Sequence, residues 1–210
     1  MNDLRYTLVT DGVSDQALQP ILTWLIRELG VACPIQPQWA DLRRLPKPPR
    51  KLDKRIAVAV ELYPCDLLFV HRDAEREDWE TRRAEIEQAL HASASVPPVV
   101  CVIPIRMQEA WLLTNEPAIR KAAGNPSGKC PLSLPSIRAL ESLADPKDLL
   151  YDLIRTASEL RGRRLQRLNV SFAAQRVADF TPNFAALRDL KAFQYLETEL
   201  AHQLRHMGLL

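Results

Sequence analysis

The residues best able to do chemistry stand just after apolar runs. In LLFVHRDAERED, residues 67–78, an apolar stretch ends in His71 and Arg72, followed by Asp73 and Glu75. Asp11 and Asp15 follow the apolar segment LRYTLVT, and Glu109 follows PVVCVIP. Carboxylates gathered at one point are hard oxygen donors suited to Mg²⁺ or Mn²⁺, which keep waters and recruit phosphate oxygens as further ligands. The chemistry expected of them is phosphodiester hydrolysis through an activated water. Asp11, Asp73 and Glu75 are the expected metal ligands, Glu109 completes or orients the site, and His71 positions water. Singly, each acid also has a structural use. Asp11 precedes a glycine as turn residues do, Asp15 suits a first helical turn, Asp73 and Glu75 can cap the helix that follows, and Glu109 is spaced to pair with Arg106.

The elements that must position these acids follow from hydrophobic periodicity. Residues 4–10 alternate as a strand, and Ser14 is placed to cap a helix whose face is Leu18, Ile21, Leu22, Leu25, Ile26 and Leu29, stopped by Gly30. A proline-punctuated stretch to Pro49 holds a short strand at 35–39. Leu52, Ile56, Ala59, Val60 and Tyr63 mark a second helix. DLLFVH reads as a buried strand, 76–93 as a charged helix with Trp79, Ile86 and Leu90 inward, and 98–104 as another apolar strand. Strand and helix alternating in this way predict a parallel sheet flanked by helices. In such sheets ligands gather at the carboxyl ends of the strands, where these acids fall. From Met107 onward the pattern is helical: MQEAWLL, EPAIRKAA, SIRALESLA, a helix over 145–160 opened by Asp145 and Pro146, and three more. The expected division is an α/β unit over 1–110 and a helical extension over 111–210.

The 210 residues carry a formal net charge of +2, with 47% hydrophobic and 26% charged residues. These are ordinary globular values, and no run approaches the roughly 18 apolar residues of a membrane span. The N-terminus lacks the basic start and apolar centre of a secretory signal, so a cytoplasmic protein is expected. Cys33, Cys65, Cys101 and Cys130 form no metal-ligand spacing and read as free, mostly buried thiols. Seven basic residues crowd 43–55, against the single acid Asp53, and RGRRLQR holds four more at 161–167. Arg43, Arg44, Arg50, Lys51 and Arg72 are the expected contacts to a phosphate backbone of DNA or RNA; a solvated face is the alternative. GNPSGKC misses the phosphate-loop spacing, and no GxGxxG, GxSxG or histidine cluster occurs, which argues against NTPase, serine hydrolase and zinc chemistry. Trp24, Trp79, Trp111, Phe172, Phe193 and Tyr195 are expected in the core.

LVTDGVSD after the first strand and LLFVHRDAE after a later one together resemble the TOPRIM fold of topoisomerases, primases and OLD-family nucleases. That family places an acid followed by glycine after its first strand and an acid pair after a later one, and these acids bind Mg²⁺. By position, Asp11 with Gly12 matches the first motif and Asp73 with Glu75 the pair; the family usually has Glu at the first of these and Asp at the last. PIRMQEAWLL and DPKDLLYDLI further resemble small uncharacterised bacterial TOPRIM-like proteins, some linked to ATPase partners in phage-defence-like systems. The resemblance covers 1–110 and implies a metal-dependent nuclease or nickase. The rival expectation is a non-catalytic binding or regulatory subunit of an ATPase partner, with the segment of Leu187, Leu190, Phe193, Leu196 and Leu200 as docking face or as core.

Overall fold

The computed structural model describes residues 3–75, 77–93 and 96–210. Four strands, β1 (Leu4–Val9), β2 (Ile35–Trp39), β3 (Leu67–His71) and β4 (Val99–Val102), form one sheet in the order β2-β1-β3-β4. Every pairing is parallel, with Leu8 beside Phe69 and His71 beside Val102. The chain winds one way from β1 to β2 and the other way from β3 to β4. The crevice outside the carboxyl ends of β1 and β3 is therefore a topological switch point, where open α/β sheets bind ligands.

Strict alternation sorts the strand residues between two apolar layers. Leu4, Tyr6, Leu8, Leu67, Phe69, Val100 and Val102 face α1 (Leu18–Glu28) and the helical second half. Val9, Leu68, Val70, Cys101 and Ile103 face α2 (Leu52–Leu62) and α3 (Trp79–His91). Because both faces are covered, β3 is buried along its whole length, which is why it reads as an unbroken apolar run rather than an alternating one.

The second half supplies α4 (Glu116–Ala122), α5 (Pro146–Ser158), α6 (Gly162–Gln166), α7 (Val170–Phe180) and α8 (Lys191–His206). Its side chains share one continuous core with β1, β3, β4 and α1; Trp111 and Phe193 are buried in it, with ring centroids 5.4 Å apart. Leu187, Leu190, Phe193, Leu196 and Leu200 all serve that core. The boundary expected between 110 and 111 falls inside a single 3-10 turn, Gln108–Leu112. Both edges of the sheet are modified. Pro37 interrupts the donors of β2, and on β4 the Cys101 N–H donates 3.1 Å to the Glu199 carboxylate of α8.

Several local expectations are corrected. Ser14 caps no helix; it opens a 3-10 turn, Ser14–Ala17, and its hydroxyl donates to Asp15. MQEAWLL and SIRALESLA hold 3-10 turns rather than α-helices. The helix after β3 begins at Trp79 under an Asp78 cap, so neither Asp73 nor Glu75 caps it, while position 76 lies outside the described residues. Phe172 is 56% exposed rather than core. Of the four free cysteines only Cys101 is buried, and Cys130 is exposed. The Gly30 stop (φ 105°) and the Asp145 cap with Pro146 in the first turn are as expected. Among the described residues no helix is long and apolar enough to cross a membrane.

Because one core joins the two halves, truncating its largest side chain tests their independence. Trp111→Ala is expected to lower the unfolding free energy by about 3–5 kcal/mol while urea unfolding stays a single transition by fluorescence and circular dichroism. Two separated transitions would show that the halves fold apart.

Candidate functional site

His71 ends β3, and strand alternation sends its ring to the same face as Leu67 and Phe69, toward the helical second half. Its Nδ1 lies 2.9 Å from the Val102 carbonyl of β4. A carbonyl only accepts, so Nδ1 carries the proton and donates, and in the neutral ring Nε2 keeps a lone pair. That nitrogen is 3.6 Å from Asp73 Oδ1 and 3.9 Å from Asp15 Oδ2. Two carboxylates thus face the His71 ring at the end of a buried strand. A proton or a cation between them is what relieves such an arrangement.

Each acid is held by backbone geometry. Asp15 is buried in the 3-10 turn, where it accepts the Gly12 N–H (2.8 Å), the Ser14 hydroxyl (3.0 Å) and the Gln108 side-chain amide (3.4 Å). Asp73 accepts the Gln108 backbone N–H at 2.9 Å. Beyond it the chain turns through two left-handed residues, Glu75 (φ 54°) and Arg106 (φ 67°), tied by a 2.9 Å bond from the Glu75 N–H to the Arg106 carbonyl. Non-glycine residues adopt this conformation at a cost of about 1 kcal/mol or more, and such residues concentrate at functional sites. Glu109 is buried beside the same cluster and pairs with Lys147 of α5 at 3.6 Å, not with Arg106.

The electrostatics follow from this crowding. Burial, reinforced by the Asp15 and Glu109 charges, pushes the Asp73 carboxyl up to about 7 against the opposing pull of His71 and the Gln108 N–H. Burial also raises Glu109, although Lys147 opposes it. The side-chain carbonyl Oε1 of Gln108, a residue only 2% exposed, has no hydrogen-bond partner.

Asp11, Asp15, His71, Arg72, Asp73, Glu75 and Arg82 line a cleft of about 290 Å³ outside the ends of β1 and β3. Of the residues expected from sequence, Asp11, His71, Arg72, Asp73 and Glu75 therefore share one cleft, and Glu109 stands behind it. They do not share one environment. Asp11 is half-exposed and both its oxygens are engaged, one by Arg55 and the other by Arg72, whose Nε is 3.0 Å away. The second arm of Arg72 pairs with Glu85 at 3.0 Å. Glu75 is 62% exposed in its side chain, with Arg82 3.9 Å away. A second hollow of about 280 Å³ adjoins at Asp11 and Gly12, walled by Trp39, Arg43, Arg50 and Arg55. Arg43 and Arg44 both pair with Asp41, while Lys51 is exposed at the start of α2.

No family model, no curated protein and no solved structure matches this chain. The TOPRIM resemblance accordingly rests on the residues quoted for it. Sequence reasoning missed Gln108 and Lys147 as site residues and counted Asp15 among the strand-end acids without naming it a ligand. The spacing of four from Asp11 to Asp15 was the available signal; Gln108 and Lys147 reach the site from distant elements and leave none.

The donor set fits a hard divalent cation: carboxylates at Asp15 and Asp73, an imidazole nitrogen fixed by its other nitrogen's bond to a carbonyl, and an unpartnered amide oxygen at Gln108. Among the described residues no three His, Cys, Asp or Glu side chains already converge at ligand spacing, so the fit lies in the donors' chemistry.

The shift at Asp73 makes a signed prediction. Its folded value of about 7 exceeds the ordinary unfolded value near 3.8. Between these pH values the folded state holds the extra proton, so its stabilisation is full below pH 4 and is lost as pH rises through 7. The slope is at most about 1.4 kcal/mol per pH unit. Thermal melts in EDTA are expected to show falling stability from pH 5 to 8, flattened by Asp73→Asn, which at pH 8 melts above wild type. A wild-type profile flat across that window contradicts the crowded-acid account.

Proposed function

We propose that the protein is a metal-dependent phosphodiester hydrolase acting on nucleic acid, with its centre at Asp73, Asp15 and His71. The observation that carries this reading is the pair of carboxylates, Asp73 and Asp15, gathered against the His71 ring at the switch point of the sheet, where a proton or a cation relieves their crowding. Mg²⁺ or Mn²⁺ held there supplies a polarised phosphate and a water of lowered pKa. Asp73 and Asp15 offer carboxylate oxygens, and the Gln108 backbone N–H orients Asp73. The imidazole of His71 stands within reach of a water beside Asp73. Glu109, paired with Lys147, holds a third carboxylate behind the first pair. Arg72 and Arg55 stand at the mouth beside Asp11, where their guanidiniums can exchange a carboxylate for a phosphate, and Arg50 continues the basic wall toward the neighbouring hollow. Asp11 and Glu75, expected from the TOPRIM resemblance to bind metal, sit at the open side and serve this reading as anchor of the arginines and outer carboxylate.

One observation favours the second reading, a non-catalytic binding or regulatory subunit of an ATPase partner. Both oxygens of Asp11, which that resemblance assigns to metal, are closed by arginines. Calorimetry with Mn²⁺ on wild type and Asp73→Ala, both shown folded by circular dichroism, separates the two. The hydrolase reading expects wild-type binding weakened at least tenfold in the variant, and Mn²⁺-dependent cleavage of single- or double-stranded DNA or RNA that the variant loses by at least a hundredfold. A folded wild type that neither binds Mn²⁺ nor cleaves any of these sinks it.

A companion expectation concerns the mouth. Arg72→Gln is expected to raise the KM for cleavage of long nucleic acid several-fold, with a smaller change in kcat, since it removes a contact to backbone rather than to the reacting oxygen. Steady-state kinetics check this, and an effect confined to kcat assigns Arg72 to the transition state instead.

A further inference from the structure

Away from the cleft, α6 contains no buried side chain. Packing therefore gives no reason for this segment's composition, and what it presents to solvent is Arg161, Arg163, Arg164 and Arg167, all exposed. Among the described residues none of the four has a carboxylate within ion-pair distance, unlike Arg43, Arg83 or Arg188 elsewhere on the surface. Glu159, two residues before Arg161, accepts the backbone N–H groups of Lys129 and Cys130 at 2.5 and 2.7 Å through its Oε1. Arg161 lines a hollow of about 790 Å³ together with Lys129, Arg155, Glu159, Leu160 and Leu165. A cluster of exposed, unpaired guanidiniums is complementary to a polyanion. The planar fork of arginine matches phosphate oxygens in pairs.

The patch is mechanically joined to the acid cluster by α5. Lys147, in its first turn, lies 3.6 Å from Glu109 and stands over the Tyr151 ring at 6.0 Å. Tyr151 and Arg155 follow at intervals of four, so cation, aromatic and cation share one face of the helix. Among the described residues Arg155 pairs with Asp152 alone, an exposed partner three residues back on the same helix, a kind of pair worth little in water. At about 1.5 Å rise per residue, the stripe extends about 12 Å along α5 from Lys147 to Arg155.

We propose that Arg161, Arg163, Arg164 and Arg167, with Arg155 and Lys129, form a second, sequence-independent phosphate anchor for a nucleic-acid strand that runs from the acid cleft along α5. The identity of the ligand rests on the hydrolase reading; the charge and geometry of the patch do not. The anchor fixes the register of the strand through its backbone and leaves the bases unread.

The test is fluorescence anisotropy of the full chain with a labelled 20-nucleotide single strand, in EDTA so that cleavage plays no part, at 50, 100 and 200 mM NaCl. The variant changing all four arginines of 161–167 to Gln is expected to bind at least tenfold more weakly at 100 mM. Its plot of log affinity against log salt should be shallower by about 3, four contacts at about 0.7 each. The all-lysine counterpart should retain most of the slope, showing that charge and not fold is read, and matching thermal melts confirm folding. Equal binding by wild type and the Gln variant, or no binding by wild type at 50 mM, overturns the anchor. Binding of polyglutamate in place of the oligonucleotide overturns it in favour of an acidic protein. Salt-dependent binding that persists in a protein unable to bind Mn²⁺ or to cleave supports the anchor and removes the hydrolase reading alone.

Discussion

The repulsion among the acceptors at the end of β3 is the constraint on which the rest of the site depends. Two carboxylates set against the His71 ring, with a third carboxylate behind them, cannot all keep their charges in a largely enclosed corner without something positive between. Surrounding elements answer that need only in part. Gly12, Ser14 and Gln108 donate hydrogen bonds, and Lys147 balances Glu109. The remaining imbalance is expressed as the proton that Asp73 holds up to about pH 7. A fold would not gather these groups for stability alone, since separate exposed positions would cost less.

What brings them together is the reversal of winding between β1 and β3. The first crossover leaves Asp15 on a turn above one face, the β3 strand delivers His71 and Asp73 from the centre, and the helical half closes over the same face with Gln108, Glu109 and Lys147. Without that half, Tyr6, Phe69 and Val102 would lose much of their cover and the acids their roof. The helical second half packs on the α/β unit and completes both the core and the site.

Much of this was legible in the chain. The strands could be read because a doubly covered parallel strand is apolar throughout, and α1 and α5 because their faces repeat at the helical period with a Gly stop or an Asp-Pro start. The placing of acids after three strands pointed to the right edge of the sheet. What could not be read was which of those acids would be buried. Asp11 and Asp15 are four residues apart and chemically alike, yet the 3-10 turn folds one inward, while α2 and β3 bring Arg55 and Arg72 to the other. Phe172 failed for a related reason: it lies on an amphipathic helix, but the periodicity of α7 does not say how far the neighbouring helices extend over that face.

The two edges of the sheet carry a last consequence. A four-stranded parallel sheet ends in unpaired amides and carbonyls on either side, a natural template for a strand from another molecule. Pro37 takes a donor out of one edge, and Glu199 occupies the Cys101 amide of the other with a carboxylate. Any incoming strand would meet a missing hydrogen on one flank and a carboxylate already seated on the edge amide of the other. The sheet is therefore finite by construction, and the chain is guarded against templated polymerisation at the point where a sheet this small is most open to it.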